Sequence, residues 1–400
     1  MRFPDDLAIR SASSTILLVV IDGLGGVPLP QTGATELESA RSPNLDRLAS
    51  TSSLGMLLPI APGITPGSGP GHLALFGYDT TEYMVGRGVL SALGVGFDIK
   101  PGDVAVRLNL ATLDQDGRIT DRRAGRPSDD EGRRIVGLLQ DGVSLGGEAE
   151  LFLIHEKEHR VVLVLRGEGL GADIADTDPQ ETGVAPLPPR VLHSDSERTG
   201  GIFERFFAQA RELIRDEVSI SGLLARGCAR YGGFPSLEER FGLSALAVAR
   251  YPMYRGVARL VGMQIPGTPS SDEEAVSLME GQFGNAGFHF IHFKAPDSRG
   301  EDRDFYAKAA AIEAVDAMIP RLAALGADVV VVTGDHSTPA LLGAHSWHQV
   351  PVLLASGAAR PTGVSFSESE ARRGDLGVLE ARHLMSLMLA HAGRLRKFGA

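Results

Sequence analysis

Short, continuous apolar runs recur along the chain, each followed by a polar turn that contains glycine. Ile16 to Ile21, Val161 to Leu165, Val329 to Val332 and Val350 to Ala355 are such runs. A run apolar at every position, instead of every second one, fits a strand buried on both faces of a mostly parallel sheet. Helical patterns lie between the runs. Ser42-Pro43 offers an N-cap and a first-turn proline, and Phe305 to Leu325 carries apolar residues at helical spacing, with Pro320 as a kink or break. The pattern predicts an α/β chain.

The middle of the chain departs from this rhythm. It holds more arginine, hairpin-like turns such as Asp114-Gln115-Asp116-Gly117, and a proline-rich link at Ala185 to Arg190. Single cores stop growing efficiently at roughly 250–300 residues, so a 400-residue chain suits two domains. We expect a discontinuous domain from 1–80 and 241–400, with a second, inserted domain at 81–240.

Composition narrows the function classes. Hydrophobic residues make up 43% and charged residues 22% of the chain, as in ordinary globular proteins. The formal charge of -11 repels a phosphate backbone and argues against nucleic acid as a partner. An anionic small substrate needs local correction by metals or clustered arginines. The single Cys228 forms no internal disulfide and suits a reducing compartment. No apolar run is long enough for a signal-peptide core or a bilayer span, so the expectation is a cytoplasmic protein with no membrane partner; oligomeric state is not legible.

In open α/β sheets ligands gather beyond the carboxyl ends of the strands. Asp22 directly follows Ile16 to Ile21, Asp297 follows Phe288 to Phe293, and Asp335-His336 follows Val329 to Val332 after a Thr-Gly. Carboxylates mixed with imidazoles, including His345, suit manganese, zinc or similar ions. Each also has an ordinary reading: Asp22 as a turn residue, Asp335-His336 as a helix cap and a surface histidine. Ser68 lies in the glycine-rich Gly63-Ile-Thr-Pro-Gly-Ser-Gly-Pro-Gly-His72, which opens a helix whose amides favour an anion. The alternative for Ser68 is a plain N-cap, and His72 either positions the loop or packs. Metal coordination would turn the Ser68 hydroxyl into a nucleophile without a separate base.

The succession Val-Ile-Asp22-Gly-Leu-Gly, Thr-Pro-Gly-Ser68-Gly-Pro-Gly-His-Leu, Phe-Lys-Ala-Pro-Asp297, Thr-Gly-Asp335-His336-Ser-Thr-Pro and His345-Ser-Trp-His resembles the archaeal-type cofactor-independent phosphoglycerate mutases of the alkaline phosphatase superfamily. Phe-Gly-Tyr78-Asp79, Asp121-Arg-Arg-Ala-Gly-Arg126 and Asp176-Thr-Asp-Pro179 extend the resemblance over nearly the whole chain. It implies an alkaline phosphatase-like, mostly parallel sheet flanked by helices, with the insert as a smaller α/β lid. It also implies two divalent ions, manganese first and magnesium, cobalt or zinc as alternatives, and no 2,3-bisphosphoglycerate. One ion would be held by Asp22, Ser68, Asp335 and His336, the other by Asp297, His345 and Glu301. Many relatives carry histidine where this chain has Glu301, and Asp302 is an alternative.

The implied reaction interconverts 2-phosphoglycerate and 3-phosphoglycerate through a phosphoserine at Ser68, a step of glycolysis and gluconeogenesis. Substrate-holding cations would be Arg107, Arg122, Arg126, Arg226, Arg255 and Lys294, with Arg123 a further candidate, since arginine's planar fork suits carboxylate and phosphate. Asp121 is a candidate acid/base for the glycerate hydroxyls. One alternative is a metal-dependent phosphatase or other phosphotransferase acting on a small phosphorylated acid; another is an inactive binding module on the same scaffold. A dinucleotide-binding reading of Gly167-Glu-Gly-Leu-Gly-Ala172 fails because Asp-Ile-Ala-Asp-Thr-Asp-Pro follows, where a fingerprint should open a helix.

Overall fold

The computed structural model describes residues 4–83 and 85–399. The described chain forms two compact units, one from residues before 85 and after 234, the other from Val85–Phe234. Twelve strands occur among the described residues: β1 (Ile16–Ile21), β2 (Ser53–Leu58), β3 (Val104–Leu113), β4 (Ile119–Asp121), β5 (Glu150–Lys157), β6 (Arg160–Arg166), β7 (Gly222–Arg230), β8 (Ala245–Val248), β9 (Phe288–Phe293), β10 (Val329–Thr333), β11 (Val350–Ser356) and β12 (Gly377–Glu380).

The first unit is built on a seven-stranded sheet in the order β12-β2-β11-β10-β1-β9-β8. Its centre is three neighbouring parallel strands. β1 pairs in parallel with β10 on one side and β9 on the other, with Ile16 level with both Val329 and Phe288. All residues of β1, β9 and β10 are buried, because helices cover both faces, and the runs of Leu, Val, Ile and Phe meet that demand. Leu17, Val19 and Ile21 join one core with Val330, Val332, Ile291, Phe293, Ile312 and Ile319. On the other side, Phe76 at the end of helix Ser68–Leu75 meets Phe290 edge-on at 5.1 Å. Parallel neighbours deliver their carboxyl ends to one edge of the sheet, and this is what gathers the residues that follow β1, β9 and β10.

Two strands differ from the expected direction. β11 runs antiparallel to both β10 and β2, so the sheet is mainly parallel but not wholly so. Val161 to Leu165 belongs to the second unit, where β6 pairs antiparallel with β3 and β5. Its residues are still buried on both faces. Helices Asp129–Gly142 and Glu197–Leu213 share a core with Val161, Leu163 and Leu165, while helix Arg87–Gly94 packs on β3, β6 and β7. The second unit's sheet is antiparallel throughout, with β7 completing it beside β3. No helix opens after Gly167-x-Gly, in keeping with the rejected dinucleotide reading. The Phe305 to Leu325 pattern resolves into helices Phe305–Asp316 and Ile319–Ala323, with Pro320 in the first turn of the second. No helix among the described residues is long and apolar enough to cross a membrane.

One buried carboxylate makes stability depend on pH. Glu368 is 3% exposed; it accepts the Gly26 amide N–H at 3.1 Å and the Thr35 hydroxyl at 2.7 Å. Burial pushes its carboxyl up to about 7. The unfolded chain releases this proton nearer the ordinary glutamate value, so the folded state binds more protons in between. The associated stabilisation is complete at acid pH and is lost as pH rises through about 7. We expect Glu368→Gln to flatten the decline in unfolding free energy between pH 5 and 8 by on the order of 3 kcal/mol; denaturation curves of both proteins at those pH values check this, and parallel pH profiles would refute it.

Candidate metal centre

Asp22 lies just past β1, fully buried, and its two oxygens have different fates. Oδ2 accepts from the Tyr254 hydroxyl and from His292 Nε2 at 3.0 Å, with Lys294 Nζ 3.2 Å away. Oδ1 has no hydrogen-bond partner, although it is buried. Asp335, past β10, repeats the pattern. Its Oδ1 accepts the Gly23 amide at 3.3 Å, whereas its Oδ2 lacks a hydrogen bond. His72 Nδ1 lies 3.1 Å from that Oδ2 but 2.8 Å from the Ser68 carbonyl, and one N–H serves the shorter contact.

The two orphaned oxygens face His336 Nε2, which is 3.3 Å from each. The opposite ring nitrogen fixes its tautomer. The Thr338 hydroxyl donates to Asp297 Oδ1 at 2.6 Å, so its oxygen accepts from His336 Nδ1 at 3.0 Å. Nε2 then presents a lone pair, and the Ser68 hydroxyl lies 3.2 Å from it. Asp22, Asp335 and His336 offer ligand atoms within 4.8 Å of one another. Unsatisfied buried oxygens beside a basic nitrogen are costly without a cation, so this donor set fits a divalent ion.

A second group adjoins the first. Asp297, His336 and His345 also bring ligand atoms within 4.8 Å. His345 Nδ1 contacts the Pro66 carbonyl at 3.0 Å, which makes it the protonated nitrogen and leaves Nε2 3.6 Å from Asp297 Oδ1 and 3.7 Å from Glu301 Oε1. Such outer hydrogen bonds are how metal-binding imidazoles are oriented. Glu301 is exposed at the rim, near His345. Asp302 instead pairs with Arg299 at 3.2 Å.

Local sequence explains this placement. Gly23, with φ of +66°, takes a backbone form that other residues resist, and a Cβ there would strike Asp297 and Thr338. Ser68 is the first residue of helix Ser68–Leu75, after Gly67 as N-cap. It is thus inside the helix and is not the cap. At Gly71 the same helix touches the Asp335 backbone so closely that no side chain would fit, which brings Ser68 to the strand ends.

The electrostatics reflect a crowd of anions in an apolar edge. Burial opposes ionisation of Asp22, yet Lys294, His292 and His336 together hold its carboxyl well below the usual range. Burial likewise works against Lys294, but Asp22 and Asp297 raise its ammonium above the ordinary lysine value. Lys294 Nζ also donates to Asp297 Oδ2. Burial lowers His336 and His292, which favours the neutral imidazole in both and leaves His336 able to act as a ligand.

The remaining expected residues divide between the two units. Arg255 is buried in helix Pro252–Leu260 and donates to the Ala249 and Arg250 carbonyls. Arg122, Arg126, Arg107, Arg226 and Asp121 belong to the second unit. There Arg122 forms a forked pair with Asp178 at 2.9 and 2.7 Å, Arg226 donates to Gln180 at 3.1 Å, and Arg126 is exposed. Arg107 is largely buried, its Nε lacks a hydrogen bond, and burial lowers it to about 10. Both Asp121 oxygens accept backbone amides, from Arg123 and Gly125, each at 2.7 Å, which ties this carboxylate to the turn. Sequence reasoning missed Tyr254, His292, Thr338 and Lys308. The one available signal was His292, a polar residue in an otherwise apolar strand end.

The fold and this edge define an α/β protein with paired carboxylate–imidazole groups of metal-binding type at the carboxyl ends of parallel strands. Residues 49–219 match the family model described as 2,3-bisphosphoglycerate-independent phosphoglycerate mutase. A relative from Thermus thermophilus, named "Probable 2,3-bisphosphoglycerate-independent phosphoglycerate mutase", is 49% identical over 98% of this chain and 97% of its own. One of the same name from Deinococcus radiodurans is 46% identical with the same coverage. Among solved structures, a protein from Pyrococcus horikoshii superposes with a TM-score of 0.83 at 30% identity, covering 97% of this chain and all of its own. The cofactor-independent phosphoglycerate mutase of Thermoplasma acidophilum gives 0.73 at 28% identity, covering 95% and 100%. The chain belongs to the 2,3-bisphosphoglycerate-independent phosphoglycerate mutase family.

If these groups bind metal, manganese added to chelator-treated protein will raise its melting temperature in a concentration-dependent way. Asp335→Asn, which neutralises a facing oxygen, will need at least ~10-fold more manganese for the same shift. Thermal unfolding followed by circular dichroism across a manganese series measures both.

Proposed function

We propose that the chain interconverts 2-phosphoglycerate and 3-phosphoglycerate through a phosphoserine at Ser68, with no bisphosphoglycerate cofactor. The observation that carries this is the Ser68 hydroxyl, at a helix N-terminus and 3.2 Å from His336 Nε2, beside the orphaned oxygens of Asp22 and Asp335. Asp22, Ser68, Asp335 and His336 would hold one ion, and Asp297, His345 and Glu301 the other; manganese suits the hard, carboxylate-rich set. Bound divalent ions would acidify the Ser68 hydroxyl and neutralise charge on the phosphoryl oxygens.

The remaining steps fall to the chain. Ser68 Oγ forms a bond to phosphorus as the bond from phosphorus to the substrate's glycerate oxygen breaks. The proton lost by Ser68 balances the one gained by glycerate. In the return step the neighbouring glycerate hydroxyl attacks the phosphoserine, the bond from phosphorus to Oγ breaks, and Ser68 recovers its proton. The helix N-terminus at Ser68 favours the transferred anion, and Lys294 adds a fixed positive charge beside Asp22 and Asp297. Binding of the glycerate carboxylate is assigned to arginines, with Arg107, Arg122, Arg126 and Arg226 first in line. Asp121, whose carboxylate is oriented by the Arg123 and Gly125 amides, is the candidate acid/base for the glycerate hydroxyls. The proposed reaction is a step of glycolysis and gluconeogenesis, and the cytoplasm is the compartment we propose for it.

Phosphorus NMR of 3-phosphoglycerate with the manganese-loaded protein, without bisphosphoglycerate, tests the reading. We expect 2-phosphoglycerate to form, and Ser68→Ala to lose on the order of 10³-fold or more in rate. Release of inorganic phosphate in its place would make the protein a phosphatase, and full activity in Ser68→Ala would exclude the phosphoserine route.

A further inference from the structure

Lys308 is fully buried in helix Phe305–Asp316, and the proposed chemistry gives its ammonium nothing to do. Nζ donates to two backbone carbonyls, Gly25 at 3.0 Å and Thr338 at 2.9 Å. Gly25 lies in the loop that carries Asp22, and Thr338 in the loop that carries Asp335 and His336. Glu36, also fully buried, places Oε1 3.8 Å from Nζ and accepts the Ala340 amide with the same atom at 2.7 Å. The lysine thus joins two loops from distant parts of the chain and brings its own counter-charge.

Thr338 is where this arrangement reaches the metal centre. Its hydroxyl donates to Asp297 Oδ1 and accepts from His336 Nδ1. Its carbonyl is enclosed on one side by Lys308 and on another by Gly300 of helix Ala295–Glu301, where any Cβ would collide with it. The loops otherwise hold each other by few backbone bonds, chiefly the Thr338 amide to the Gly23 and Gly25 carbonyls at 3.3 and 3.1 Å. Two carbonyl oxygens that converge on one point repel each other unless a donor stands between them, and a buried ammonium persists only where such acceptors surround it.

We propose that Lys308 is a positioning residue. It clamps the Gly25 and Thr338 carbonyls together, and so fixes the Thr338 hydroxyl that aims Asp297 and His336 at their ions, with Glu36 balancing its charge. This rests on the reading of Asp297 and His336 as metal ligands. Groups that orient metal ligands from behind typically change affinity by 10–100-fold when removed, and the clamp belongs in that range.

Lys308→Met alone strands the Glu36 carboxylate in the interior, so the informative pair is Glu36→Gln and the double variant Lys308→Met/Glu36→Gln, both in the full chain. Free manganese is read by electron paramagnetic resonance during titration of chelator-treated protein. Backbone hydrogen exchange of the metal-free proteins is read at residues 22–26 and 335–340. We expect Glu36→Gln to bind manganese like wild type, because Lys308 keeps both carbonyls. The double variant should bind about 10–100-fold more weakly and exchange faster in those two loops, with β1 and β10 unchanged. The clamp is overturned by a folded double variant with wild-type affinity and exchange, by equal weakening in Glu36→Gln, or by a double variant that does not fold, which would make Lys308 a determinant of the fold. If wild type itself takes up no manganese, the metal reading fails and the clamp with it; wild-type uptake with an unaffected double variant removes the clamp alone.

Discussion

Asp22 Oδ1 and Asp335 Oδ2 face each other across His336 Nε2, each 3.3 Å from the nitrogen and shut away from water. Lone pairs crowded together in a low-dielectric edge repel. Their partner oxygens are bonded to Tyr254, His292 and the Gly23 amide, so the carboxylates cannot turn away. The surrounding structure therefore holds a donor set suited to a cation. The parallel trio β10-β1-β9 sets the spacing of these carboxylates. The Gly23 turn, the close approach at Gly71 and the Lys308 contacts bring the loops to it.

The sequence disclosed the strands and the residues at their ends because both are local signals. An unbroken apolar run followed by Asp22 or by Asp335-His336 reads as a buried strand with a polar exit, and these residues do lie together with Ser68. Strand direction was not legible: Val350 to Ala355 and Val161 to Leu165 have the composition of parallel strands, yet β11 and β6 run antiparallel. An apolar run reports burial on two faces, and helices can cover an antiparallel sheet on both sides as well. Tyr254, Thr338 and Lys308 stayed hidden for a different reason. Their roles consist of contacts with residues far away in sequence, and in their own helices and loops they look ordinary. His292 was half visible, since two histidines interrupt the phenylalanines of β9, but only one of them reaches Asp22.

Family membership and site geometry reach the same chemistry from separate directions. The relatives span nearly the full chain, and the first unit by itself presents a hydroxyl, two imidazoles and three buried carboxylates, with Glu301 at the rim. A serine in such company acts as a nucleophile only if its proton is easily displaced, which a bound cation provides and a neutral pocket does not. Among the candidate arginines of the second unit, Arg122 pairs with Asp178 and Arg226 approaches Asp176 and Asp178. Arg107 is largely buried near Glu156, and its Nε, like that of Arg226, makes no hydrogen bond.

Divalent ions held by the buried carboxylates would be visible directly. The most direct measurement is anomalous X-ray diffraction at the manganese edge from crystals of the manganese-loaded protein. We expect one anomalous peak among Asp22, Ser68, Asp335 and His336 and a second among Asp297, His345 and Glu301. A fully loaded crystal with no anomalous density at either position would contradict that expectation.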